Sequence, residues 1–163
     1  MRRLIIAAGA VLVLVVANVG IHQREQLLAT GRTVLLELAP VDPRSLMQGD
    51  YMALRFRVAD AAFGGRPDET RRDGRLVLGL DAAGVGTFRR FDTGSALAPD
   101  EVAMRYRIRA NQPTFATNAF FFQEGHAAYY EHARYGEFRV APSGDALLVG
   151  VRGSQMEPLG PPP

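Results

Sequence analysis

The chain has 163 residues, and 47% hydrophobic and 22% charged residues is the composition of a folded protein with room for one domain. It contains no Cys and no Lys, so all 19 basic side chains are Arg. This excludes catalysis by a thiolate or a Lys amine, and it excludes disulfides and thiolate metal sites. A net charge of +2, without long runs of like charge, gives no case for nucleic-acid binding.

The first predicted element is an N-terminal apolar helix. Residues 4–21 carry no charge and only one polar side chain, Asn18. As a helix they would span about 27 Å, against a hydrocarbon core of about 30 Å. The run predicts a retained single transmembrane helix that continues through residue 28 and ends at Gly31, a favourable capping residue.

A cleaved signal peptide is the alternative for this segment. Such a peptide has a shorter apolar run, of about 7–15 residues, followed by a small-residue cleavage pattern. The nearest such pattern here, Ala17, Val19 and Gly20, is poor. With Arg2 and Arg3 on the cytoplasmic side, the rest of the chain would face the periplasm or the cell exterior from the bacterial inner membrane.

Alternating apolar and polar residues predict the strands that follow. The clearest alternation covers residues 52–59 and 101–109. Further strands are predicted at 32–39 and 119–122, with hairpins at 75–80/86–92 and 137–140/146–151. A helical turn is expected at 43–48, a loop at 60–74 and a short helix at 125–134.

These elements predict a mainly β fold, with an antiparallel sheet curled into a small barrel or sandwich and one short helix, after the transmembrane helix. The expected organisation is an anchor and juxtamembrane helix over residues 1–31 and a β-rich extracytoplasmic domain over 32–152. A Pro-rich tail at 153–163 is expected to be disordered.

One motif stands out in the strand region. The chain reads Gly49-Asp50-Tyr51-Met52-Ala53-Leu54-Arg55-Phe56, and later Phe121-Phe122-Gln123-Glu124-Gly125. Both segments resemble the GDYxxLxY family of membrane-anchored bacterial proteins, with Phe56 in place of the final Tyr. The resemblance implies a tethered periplasmic domain, often encoded with or fused to a multi-pass membrane protein. It implies no catalytic residues.

The motif has a structural and a functional interpretation. In the structural one, Gly49 permits a positive φ, Asp50 caps neighbouring amides and Tyr51 lies over the sheet edge. In the functional one, a shared site is lined by motif residues. The candidate residues are Gly49, Asp50, Tyr51, Leu54, Arg55, Glu124 and Gly125.

Arginines on two predicted strands form a second candidate site. If those strands were neighbours, five guanidiniums would form one cationic surface able to bind anions by bidentate contacts. They are Arg55, Arg57, Arg105, Arg107 and Arg109. The alternative is a solvated face with cross-strand pairs to Asp and Glu. His126 and His132 lack the spacing of metal ligands, and no metal or cofactor is predicted.

Three hypotheses for function follow. The first is a non-catalytic interaction module held beside a multi-pass membrane protein by residues 4–21. The second is a hydrolase or transferase that uses the carboxylates of Asp50 and Glu124. The third is a module that binds anions or lipid headgroups through the Arg face.

Overall fold

A computed structural model describes residues 2–39, 47–48, 51–64, 73–110 and 112–162. The side chains of residues 2–5, 7, 8, 47 and 48 lie outside the described part. In chain order the elements are α1 (Arg2–Thr30), β1 (Arg32–Glu37), β2 (Met47–Gln48), β3 (Tyr51–Ala53), α2 (Arg57–Phe63), β4 (Gly74–Leu80), β5 (Gly86–Phe91), β6 (Glu101–Arg109), β7 (Gln112–Thr114), β8 (Ala119–Phe121), a 3-10 turn (Ala127–Tyr129), β9 (Tyr135–Val140) and β10 (Ala146–Arg152).

Helix α1 ends where the sequence predicts, one residue before Gly31. The Gly31 N–H donates to the Leu27 carbonyl at 2.9 Å, and Leu27 is buried. A Cβ at Gly31 would collide with that carbonyl oxygen and would lie 3.1 Å from the Arg139 Cβ. The last turn of α1 therefore packs closely on β9. No helix within the described ranges combines the length and the apolarity needed to cross a membrane.

The rest of the chain is mainly antiparallel β structure, as predicted. The strand orders are β1-β9-β10, β2-β3-β8 and β5-β4-β6-β7, and one sheet curls into a half-barrel. A single parallel bridge between Leu35 and Val85 links the first and third sheets. The β4–β5 hairpin turns as expected, because Asp81 accepts hydrogen bonds from the N–H groups of Ala83 and Val85.

The core lies between these sheets and is built around aromatic rings. Phe56 meets Phe115 and Phe138 edge-on, with ring centroids 6.1 and 5.4 Å away. A second group joins Phe63 of α2 to Tyr106 at 5.0 Å and to Phe91 at 5.5 Å. Residues predicted to alternate into the interior, such as Met52 and Met104, are buried.

The strand predicted over 52–59 is wrong beyond residue 53, and the loop predicted over 60–74 is wrong at its start, where residues 60–63 are helical; residues 65–72 of that loop lie outside the described residues. Strand β3 ends at Ala53, Phe56 is extended, and the chain then forms α2. Gly64 ends that helix with φ of +61°, and its N–H donates to the Asp60 carbonyl at 2.8 Å. Met52, Leu54, Phe56 and Val58 are all buried, as the alternation required, but Val58 reaches the core from a helix.

Two predicted helical segments also differ from the structure. Met47–Gln48 is a strand paired with Tyr51 and Met52 rather than the end of a helical turn, and the rest of that predicted turn lies outside the described residues. Over 125–134 only Ala127–Tyr129 is helical, as a 3-10 turn. Gly125 precedes it with φ of +80°, a conformation that no α-helix accommodates.

The Pro-rich tail, expected to be disordered, folds back on the domain. Pro158 bridges Arg152 at the end of β10, and the Leu159 N–H donates to the Val151 carbonyl at 3.1 Å. The Arg152 guanidinium also donates to the Met156 carbonyl at 2.7 Å. Leu159 packs against the core. The tail thus covers one end of the β10 edge, which would otherwise present free backbone groups.

Candidate functional site

Strand β3 carries the described part of the motif and pairs with β8. Tyr51 lies opposite Phe121, and their ring centroids are 5.7 Å apart. The two segments that carry the family resemblance are therefore neighbours in one sheet. Tyr51 is half-buried, whereas Phe121 is 72% exposed. The Tyr51 and Phe121 rings thus form an aromatic pair on this sheet, with Phe121 as its solvent-exposed member.

Two later motif residues, Leu54 and Phe56, are buried and contribute to the fold. Leu54 is buried, and its N–H donates to the Asn118 carbonyl at 2.7 Å. Phe56, at the position of the motif's final Tyr, is buried within the aromatic core. Gly49 and Asp50 lie outside the described residues. The described motif therefore joins β3 to the core and to the chain before β8.

The second family segment forms a turn after β8. Glu124 is exposed, and Gly125 takes the positive φ that an acidic-Gly turn requires. Phe122 stacks on Tyr130 with centroids 5.2 Å apart, and Phe120 meets the same ring edge-on at 5.1 Å. These ring contacts pack the two ends of the turn, at Phe122 and Tyr130, against each other. The proposed pairing of Glu124 with Asp50 falls partly outside the described residues.

The five arginines do not share one sheet. Strand β6 pairs with β4 and β7, whereas β3 pairs with β2 and β8, so the condition for a single surface is not met. Arg55 follows β3 and lies 3.3 Å from an Asp60 carboxylate oxygen. Arg57 belongs to α2 and lies 3.2 Å from a Glu37 oxygen.

The arginines of β6 stay together on one strand face. Arg105 pairs with Asp145 at 3.1 Å, and Arg109 pairs with Asp73 at 3.2 Å. A hydrogen bond from the Ile108 N–H, aided by Arg109, lowers the pKa of Asp73 below its ordinary value. Arg107 lies between the two pairs, is exposed, and has no carboxylate partner in the part of the chain that the structure describes.

A groove of about 950 Å³ lies where α1 meets the domain. We call it the junction groove. Its walls come from four segments far apart in sequence: the end of α1, strand β6, the chain into β8, and the β9–β10 turn. Charged side chains in its lining are Arg24, Arg105, Arg107 and Asp145, and its apolar lining includes Phe121 and Leu148. Three guanidiniums thus face one carboxylate among the described lining residues.

The β9–β10 turn is held against β6 and fixes one wall of the junction groove. The Arg105 N–H donates to the Gly144 carbonyl at 2.8 Å. Within the turn, the Ala141 N–H donates to the Asp145 carbonyl at 2.8 Å, and Gly144 takes a φ of +88°. The opposite wall is fixed by Arg139, which donates to the Thr33 hydroxyl at 2.6 Å and to the Gly31 carbonyl at 3.4 Å.

The other end of β6 carries a balanced ion-pair network. Arg90 lies 2.8 Å from a Glu101 carboxylate oxygen, and Arg89 contacts both Asp100 and Glu101. A hydrogen bond from the Ala98 N–H, together with the two arginines, lowers the pKa of Glu101. The hydrogen bond from Arg89 lowers the pKa of Asp100. These pKa shifts come from partners within the network.

The histidines occupy separate places. His126 meets the Tyr129 ring edge-on at 5.4 Å, and His22 lies 3.0 Å from the Gln26 amide nitrogen on α1. His132 is exposed. Over the described ranges, no three His, Asp or Glu side chains are grouped as metal ligands.

The fold and this site define a mainly antiparallel β domain that follows a long apolar helix and carries an aromatic motif beside a cationic groove. The chain belongs to the GDYXXLXY protein family, whose model matches residues 13–151. No curated protein and no solved structure matches it.

Sequence reasoning missed two residues of the junction groove. Arg24 was not among the candidate residues, although it follows the apolar run closely, and a cation at the end of such a helix is a known signal of contact with headgroups. Phe121 was considered only as part of a predicted strand and of the second family segment, and not as a candidate site residue. Three consecutive Phe residues cannot all face the core from one strand, because side chains alternate, and this alternation indicates an exposed ring.

Proposed function

We propose that this protein is a membrane-tethered extracytoplasmic module that associates with a multi-pass membrane protein in the bacterial inner membrane. The helix α1 would be the single transmembrane anchor, with the β domain on the periplasmic or external side. The proposal rests on the exposed apolar surface of α1 and on membership in the family.

The apolar side chains of α1 are exposed on every side of the helix. Six consecutive residues, 11–16, have exposed fractions between 53% and 68%, and Ile6, Val19 and Ile21 are at least half exposed. Consecutive residues point about 100° apart, so this surface surrounds the helix instead of forming a stripe. A helix that is apolar all round is stable when something apolar surrounds it, and a bilayer supplies that environment.

The one polar side chain in the run is compatible with this environment. The Asn18 amide donates to the Leu14 carbonyl one turn earlier, at 2.8 Å. A polar group in lipid needs such an internal partner, because no water is present to replace it. The apolar sequence is longer than its described part: it begins at Leu4, whereas the first described side chain of the run is that of Ile6.

A protein partner is supported by the surface beside the motif. The exposed Phe121 ring lies against Tyr51 on the sheet edge, at the side of the domain where α1 arrives. An exposed aromatic of this kind is a common anchor at protein interfaces. In the family this chain belongs to, the resemblance implies a multi-pass membrane protein as neighbour.

The direct test is purification of the full chain from native membranes in a mild detergent after crosslinking in intact cells. We expect the protein to resist extraction by alkaline carbonate and to carry a crosslinked multi-pass protein. The variant Phe121→Ala should lose the crosslink and stay in the membrane, and Val149→Ala, another exposed apolar change, should keep both. A protein that emerges alone and monomeric would contradict the partner, and release by carbonate would contradict the tether.

A further inference from the structure

We propose that the junction groove holds the phosphate headgroup of an anionic phospholipid from the surrounding bilayer. This inference rests on the tether proposed above, because the groove meets lipid only if α1 is embedded. It names a ligand for a surface that the family resemblance leaves unassigned.

The position of the junction groove follows from the length of α1. The apolar run ends at Ile21, and residues 23–30 of the helix include the first groove residues. Eight helical residues rise by about 12 Å, and the polar headgroup layer on one side of a bilayer is about 5–8 Å deep. If residues 4–21 span the hydrocarbon, the near end of the groove lies at headgroup level.

The charges of the groove suit a phosphate group. Arg24 and Arg107 are exposed and line the groove, and neither forms an ion pair within 4.0 Å among the described residues, although the charge of Arg107 also acts on the Asp73 carboxylate. Arg105 is shared with Asp145 in a pair whose side chains are each about half exposed, at 46% and 52%. Such a surface pair is weak, so an incoming phosphate can compete for the guanidinium. Arg side chains bind phosphate oxygens with two parallel hydrogen bonds.

The apolar part of the groove suits the rest of a lipid better than a soluble anion. Phe121 and Leu148 line the same groove as the three arginines. The Phe121 ring is exposed, and an apolar ring beside the headgroups can insert toward the boundary between headgroups and acyl chains. Cationic and apolar groups that meet at the end of a membrane helix match a molecule with a phosphate next to acyl chains.

The test uses the full chain in non-ionic detergent. The protein has no Trp, so Phe121→Trp places a single fluorescent reporter at the rim of the groove. Short-chain phosphatidylglycerol is titrated against phosphatidylcholine of the same chain length. We expect saturable binding of phosphatidylglycerol, with Arg24→Gln and Arg107→Gln each weakening it about five-fold. The matched control is Arg109→Gln on the same strand, which pairs with Asp73 and does not line the groove.

Three results would overturn the proposal. Equal affinity for the two lipids would remove the headgroup charge from recognition. An equal loss in Arg109→Gln would indicate a diffuse field instead of a site. Saturation by glycerol phosphate alone, at the same concentration as the lipid, would assign the groove to a soluble phosphate. Flotation of the same protein with phosphatidylcholine vesicles tests the tether separately, so a failure of the lipid site can be distinguished from a failure of the tether.

Discussion

Helix α2 has 7 residues and buries Val58 and Phe63, whereas α1 has 29 residues and, among its described side chains, buries only Leu27. Both helices contain many apolar residues, but α2 places them on the face that meets β5 and β6. In α1 the described apolar side chains lie on all faces, and apart from Leu27 in the last turns they are exposed. The comparison shows that α2 contributes to the protein's own core, whereas the apolar surface of α1 is what the proposed membrane tether would cover.

The largest expected effect comes from placing charges in the exposed apolar surface of α1. In Leu12→Arg combined with Val16→Arg, each Arg should cost about 2.5–3.5 kcal/mol of insertion free energy near the helix centre. We expect the double variant to leave the membrane fraction, as measured by carbonate extraction. The domain should keep its unfolding transition, since neither side chain contacts it.

The control for this double variant is Val149→Arg, which charges an exposed apolar position on the domain. It should remain in the membrane. If the α1 double variant stays membrane-bound as well, α1 does not serve as the anchor and the contrast between the two helices loses its meaning.

The next effect concerns α2. Phe63 is buried against Phe91 and Tyr106, so Phe63→Ala removes a large ring and leaves a cavity. We expect a loss of about 3–5 kcal/mol in the free energy of unfolding, measured by denaturant titration, with membrane retention unchanged. Phe121→Ala, which truncates the same side chain at an exposed position, should change stability by less than about 1 kcal/mol. A loss in Phe63→Ala as small as the one expected for Phe121→Ala would show that α2 contributes little to the core.

The smallest expected effect is a pH dependence of the melting temperature that arises from acids in the β domain and not from α1. The folded-state pKa values of Asp100 and Glu101 are lowered, so these groups contribute stability that is complete above their ordinary values of about 4. That contribution is lost as the pH falls through the folded-state values. The melting temperature should therefore decline below about pH 4, and it should decline less steeply in Glu101→Gln. Glu124→Gln, which changes an exposed acid in the turn after β8, should follow the unmodified protein. A decline in Glu101→Gln as steep as that of the unmodified protein would contradict the network.

The sequence predicts the strands best where alternation is long. Strand β6 covers residues 101–109 as expected, because nine alternating residues leave one register that buries Met104 and Tyr106. Strands β2 and β7 have two and three residues, too few for periodicity to be recognised. The alternation through Val58 predicted correctly which side chains are buried, but it predicted a strand where the chain forms a helix. The local sequence favours that helix, because Ala59, Ala61 and Ala62 are helix formers and Gly64 is a typical helix end.

The candidate site was less accessible from sequence than the fold. The pairing of β3 with β8 brings together residues 70 positions apart, Tyr51 and Phe121, and no local pattern encodes it. The same holds for the junction groove, whose walls come from four distant segments. The sequence predicted that Asp and Glu side chains would pair with the arginines across strands. Arg55 and Arg57 do pair with carboxylates, but these belong to Asp60 in α2 and Glu37 in β1.

The close contact of Gly31 and Leu27 with Arg139 has a mechanical consequence. It joins the helix directly to the sheet, so any rotation of the domain about the end of α1 would have to break these contacts. With α1 in a bilayer, the tilt of the helix would determine the distance of the domain from the membrane surface and its orientation relative to that surface. A membrane partner with short external loops could then reach it, and any change in helix tilt would be passed directly to the surface around Phe121.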